Sequence, residues 1–106
     1  MLSQHYNPGK TVYLGDETAL VKQYAGSRTA VLAFNKLVAG IPPENQRLLA
    51  PDGRLETAAA RLFGLLRELG QLPVDQIICF PVPDEGLGRA INDRLQRAAA
   101  RSLPSS

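Results

Sequence analysis

The chain has 106 residues, 44% of them hydrophobic and 21% charged, which is the composition of one globular domain with an ordinary core. A formal net charge of +2 is too weak to argue for a nucleic-acid partner by itself, and no apolar run approaches the roughly 20 residues of a membrane span. One cysteine and one histidine exclude a disulfide framework and a Cys/His zinc cluster, and the polar start shows no secretory signal, so a cytoplasmic location is expected.

Residues 1–10 read as an extended linker, with Asn7-Pro8-Gly9 as its turn signal. Thr11-Val12-Tyr13-Leu14 is β-branched and aromatic, and reads as a first strand. Asp16 is placed to N-cap a helix over about 17–25, closed by Gly26-Ser27. Residues 29–34 form a continuous apolar run, as in a strand covered on both faces. Residues 35–45, with Gly40 and Pro42-Pro43, read as a loop, and Arg47–Ala50 as a short third strand.

After the Pro51-Asp52-Gly53 turn comes a helix over about 55–70. Its apolar stripe is Leu55, Ala58, Ala59, Leu62, Leu66 and Leu69, and Gly70 stands where a left-handed C′ cap belongs. Residues 76–80 form another buried strand. Pro81-Val82-Pro83-Asp84 leads out of it, with Asp84 able to cap a last helix over about 86–100. Leu87, Ala90, Ile91, Leu95, Ala98 and Ala99 are the expected buried face of that helix, and residues 102–106 a frayed tail. Strands alternating with helices, and needing cover on both faces, argue for a small three-layer α/β domain with a mainly parallel sheet of about four strands. In such sheets a ligand sits at the carboxyl ends of the strands.

The residues that carry chemistry are few. Cys79 lies in an apolar run and reads as a buried hydrophobe, because a nucleophile needs a nearby base and His5 has no reason to adjoin it. Gly86-Leu87-Gly88 opens a helix after a strand, where a phosphate loop would lie; but Ile91 replaces the third glycine of a dinucleotide fingerprint, and Asp84-Glu85 would repel an anion. Asp16-Glu17 and Asp84-Glu85 are explained by helix starts. Arg89, Arg94, Arg97 and Arg101 crowd the last helix; Arg89, Arg97 and Arg101 form a candidate basic surface, either a solvated face or a contact for RNA phosphates. Asn92, Asp93 and Arg94 read as a structural ion-pair cluster or as an inter-domain or ligand contact, and His5-Tyr6 as either a disordered start or an arm reaching into another domain. Catalysis by this chain alone is not expected.

Three segments carry a resemblance. Met1-Leu2-Ser3-Gln4-His5-Tyr6-Asn7-Pro8 resembles a family linker of the pattern Pro-Gly-Met-x-x-x-His-Tyr-Ala-Pro, with Asn7 in place of the alanine. Residues 61–69 resemble the family helix Arg-Leu-Phe-x-x-Leu-Arg-Glu-Leu, and residues 86–99 its last helix. The family is the C-terminal accessory domain of the long form of L-threonylcarbamoyladenylate synthase. The resemblance implies a Rossmann-like accessory domain over 11–101, preceded by a linker. It implies a non-catalytic regulatory or lid role, with His5, Tyr6 and Pro8 contacting an N-terminal synthase catalytic domain in the same parent protein. That parent would be an ATP-using nucleotidyltransferase making threonylcarbamoyl-AMP from ATP, threonine and bicarbonate, for threonylcarbamoyladenosine modification of tRNA position 37. No cofactor is implied for the accessory domain itself, and tRNA is a partner through the parent. The residues read without the resemblance leave two alternatives open: a free-standing α/β module binding a nucleotide or small molecule, and a tRNA-contacting module.

Overall fold

The computed structural model describes residues 10–102; the linker readings for His5, Tyr6 and Pro8, and the tail beyond 102, lie outside the described residues. The elements are β1 (Thr11–Leu14), α1 (Glu17–Tyr24), β2 (Thr29–Ala33), a 3-10 turn (Pro43–Asn45), β3 (Gln46–Leu48), α2 (Leu55–Gly70), β4 (Gln76–Cys79) and α3 (Leu87–Ser102). The four strands form one all-parallel sheet in the order β1-β4-β2-β3. This is the small three-layer, Rossmann-like α/β architecture expected from the alternation of elements.

Alternate residues of each strand feed opposite cores. Ala30, Leu32, Ile77 and Cys79 face α2 and α3, with Leu62, Leu69, Ile91 and Leu95 packed against them. Val31, Ala33, Ile78 and Phe80 face the α1 side, where Leu20, Val21 and Tyr24 cover them. Both central strands are therefore buried on both faces, which is why they lack the apolar-polar alternation of a half-exposed strand. The β1-to-β2 crossover runs over one face, and the β3-to-β4 crossover returns over the other. Moving in opposite directions on opposite faces gives both crossovers the same hand, as parallel connections require.

Asp16 does cap α1, its carboxylate accepting from Ala19 N at 3.0 Å. Lys22 in the last turn complements the helix dipole. Tyr24 ends the helix stacked on Tyr13 of β1, ring centroids 4.6 Å apart. A hydrogen bond with Tyr13 raises the Tyr24 hydroxyl pKa above its ordinary value. Strand β3 starts at Gln46 and ends at Leu48, earlier than the 47–50 segment expected. Leu49 N and Ala50 N still donate to Ala33 O and Phe34 O, both at 2.8 Å, so the chain stays beside β2 as it leaves the ladder.

Three expectations are corrected. Gly70 is the last residue of α2 and not a left-handed cap. Gln71, at φ −97 and ψ −4, takes the cap position, its N–H donating to the Glu68 and Leu69 carbonyls, while Lys10 Nζ reaches Gly70 O at 2.6 Å. The helix tightens into its exit and borrows an ammonium, so no positive φ is needed. Asp84 does not cap α3: the first-turn amides of Gly88 and Arg89 donate to the Glu85 and Gly86 carbonyls, and the Asp84 carboxylate lies 3.5 Å from Asn92 Nδ2. Leu87 and Ala90 are exposed; the inward face of α3 is Gly88, Ile91 and Leu95, with Asn92, Ala98 and Ala99 half-buried. Leu65 joins the buried face of α2, which spacing alone left out.

Candidate functional site

The sequence directs attention to the carboxyl ends of the strands, and there the loops are tied to one another. Gly15 N donates to Cys79 O at 3.2 Å. Asp52 accepts from Arg54 N at 3.0 Å and from the Thr57 hydroxyl at 2.7 Å, and these bonds hold its carboxyl below the usual carboxylate range. Arg54 N precedes α2 and Thr57 lies in its first turn, so Asp52 pins the start of that helix.

The Gly86-Leu87-Gly88 turn has a packing explanation. A Cβ on Gly88 would lie 1.7 Å from Pro83 O and 2.9 Å from Pro83 C, so the backbone of the 81–85 loop presses against α3 where only glycine fits. Gly86, at φ +56, turns the chain into the helix. A carbonyl sits against Gly88, and the amides of Gly88 and Arg89 are already donating, so the turn is occupied by its own backbone.

Asn92 completes that contact. Its Oδ1 accepts from Val82 N at 2.8 Å and its Nδ2 donates to Val82 O at 2.9 Å. The side-chain amide thus pairs with a buried stretch of backbone that has left the sheet. Asp93 pairs with Arg97 one turn on, at 3.1 Å. Arg94 takes no part in that ion pair; its guanidinium lies over the Phe63 ring of α2, 5.2 Å from the centroid. Phe63 is half exposed, as is Leu87. Phe63 and Arg94 thereby join the segments 61–69 and 86–99, which are separate in sequence. Arg89, Arg97 and Arg101 are exposed on α3, with Arg97 held by Asp93.

Cys79 is fully buried, and burial pushes its thiol up to about 12. Its Sγ lies 3.4 Å from Tyr13 O across the β1–β4 pair. A thiol so placed stays protonated and serves as a small core side chain. Among the described residues no group of three or more His, Cys, Asp or Glu side chains stands close enough to hold a metal, and no helix is long and apolar enough to cross a membrane.

What the fold and these contacts define is a small parallel α/β domain whose distinctive residues lock loops to helices. Comparison with known proteins gives the family. The family model described as "Threonylcarbamoyl-AMP synthase, C-terminal domain" matches residues 1–100, and the chain belongs to that family. A threonylcarbamoyl-AMP synthase of Bacillus subtilis (strain 168) is 34% identical over 82 residues, which is 76% of this chain and 24% of that protein. The chain thus spans about a quarter of the length of that relative.

Proposed function

We propose that this domain is the non-catalytic regulatory or lid element of a threonylcarbamoyl-AMP synthase, acting in threonylcarbamoyladenosine modification at tRNA position 37. The observation that carries the reading is the family match over residues 1–100, together with the small share of the relative that the chain covers. On this reading the remaining length supplies a catalytic domain that uses ATP, threonine and bicarbonate. His5, Tyr6 and Pro8 belong to the linker that contacts it.

The chemistry gives a lid a task. A carbamate joined to a phosphate is an activated mixed anhydride, and water destroys it. A domain that closes over the active-site mouth excludes water while the product forms and opens to release it. The interlocked loops of this domain suit it to move as one piece, with Asn92 and Gly88 holding the 81–85 loop to α3.

The test is to add this chain to a separately prepared synthase catalytic domain and follow threonylcarbamoyl-AMP formation. The expected result is weak association, a changed rate, and no product from this chain alone. No association and no change in rate overturns the proposal. In parallel, a clear rise in the melting temperature of this chain with ATP alone would favour a free-standing nucleotide-binding module.

A further inference from the structure

An open groove of about 290 Å³ runs between the edge strand β3 and the flank of α2, lined by Arg47, Ala60, Arg61, Gly64, Leu65 and Glu68. Its cations are positioned by the fold. Arg47 donates through Nε to Glu68 at 2.8 Å, and through Nη1 to the carbonyls of Glu44 and Gln46, both at 2.9 Å. Arg61 donates from Nη2 to Leu48 O at 3.0 Å. A guanidinium carries five N–H groups, so each fork keeps donors beyond these bonds. A third cation flanks the groove without lining it: Arg67 Nη2 lies 3.9 Å from where a Cβ on Gly64 would stand. The lining itself carries two guanidinia and the Glu68 carboxylate, and Arg67 at the margin raises the local excess to two positive charges.

Gly64 is the second observation. It lies in the middle of α2, where glycine weakens a helix relative to alanine. Packing does not require it, because an added Cβ would meet nothing closer than ordinary contact distance. The missing side chain keeps the groove open between Arg47 and Arg61, and the small Ala60 one turn earlier leaves it room.

We propose that this groove binds phosphate oxyanions, with the Arg47 and Arg61 forks lining it, Gly64 leaving it open and Arg67 at its margin. Guanidinium forks match phosphate geometry, and an excess of two charges suits a phosphate or diphosphate better than a single carboxylate. The phosphate has two sources with the same chemistry: a free nucleotide or pyrophosphate, and the backbone of RNA. The inference stands apart from the lid reading and rests on none of its residues.

The test uses the full chain at low salt, titrated with inorganic pyrophosphate and separately with a short oligouridylate, and followed by amide chemical shifts. Saturable shifts at residues 60–68 and at Arg47 are expected. Arg61→Gln combined with Arg67→Gln is expected to weaken binding at least tenfold. Gly64→Ala is expected to raise the melting temperature and yet weaken binding severalfold, a combination that a purely structural role would not produce. Pyrophosphate binding as tightly as the oligonucleotide identifies free phosphates as the ligand. Tighter oligonucleotide binding with a steeper salt dependence identifies RNA. No saturable shift at low salt, affinities unchanged in both variants, or shifts centred on α3 would each overturn the proposal.

Discussion

Asn92 on α3 satisfies both polar groups of Val82 on the β4 exit loop, accepting from its N–H at 2.8 Å and donating to its carbonyl at 2.9 Å. Val82 is buried, so no water stands ready to replace the amide. Asn92→Ala should therefore destabilise the domain by about 2–3 kcal/mol, the cost of stranding two buried backbone groups. Urea denaturation measures it, and a loss within about 0.5 kcal/mol would mean that the loop is held by other contacts.

Two glycines on the long helices should respond in opposite directions. Gly88→Ala drives a methyl into the Pro83 carbonyl and should cost about 3 kcal/mol or more, because backbone, not a pliable side chain, is in the way. Gly70→Ala meets nothing within 4 Å and ends a helix without a positive φ, so it should stabilise by roughly 0.5 kcal/mol. Thermal melts of the two variants side by side decide the matter.

Acid should weaken the fold through two carboxylates. The Arg28 guanidinium, 2.7 Å away, holds the Asp75 carboxyl below its ordinary range, and the Thr57 hydroxyl with the Arg54 amide does the same for Asp52. A carboxyl whose folded pKa is depressed contributes stability that is fully present above its unfolded pKa and lost as pH falls through the folded one. The loss should thus begin near pH 4 and continue below it. Both groups are exposed, so the contribution is modest and should shrink with salt. Melting temperature against pH for Asp75→Asn and Asp52→Asn should show a flatter acid limb than the parent; an unchanged limb would refute the assignment.

Cys79 should resist alkylation until the domain unfolds. Burial holds its pKa well above the ordinary thiol value, so little thiolate is present near pH 8 even before steric protection is counted. Iodoacetamide labelling with and without denaturant, read by mass, tests this. Rapid labelling of the native chain would contradict the buried position.

Much of the architecture was legible in the chain. The apolar runs at 29–34 and 76–80 announce strands covered on both faces, Asp16 announces a helix start, and the three- and four-residue steps of 55–69 announce an amphipathic helix. These are local signals, set by backbone periodicity and side-chain type. Gly70 and Asp84 misled because a cap depends on where the chain goes next: Lys10, 60 residues away, serves the end of α2, and carbonyls from within the turn serve the start of α3.

The candidate sites divide in the same way. Asn92, Asp93 and Arg94 stood out as a polar cluster on a helix; Asp93 pairs locally with Arg97, but the partners of Asn92 and Arg94 did not show, since Val82 and Phe63 reach them only once the β4 exit loop and α2 have packed beside α3. The groove lined by Arg47 and Arg61 had one sequence signal, the glycine inside α2, and that signal has no meaning until β3 lies beside the helix. Sequence alone determined the elements and their class, because periodicity and composition act over a few residues. Strand order, the seat of Arg94 over Phe63 and the approach of Arg47 on β3 to Glu68 on α2 were decided by the tertiary structure, because each depends on contacts between segments tens of residues apart, which local patterns do not encode.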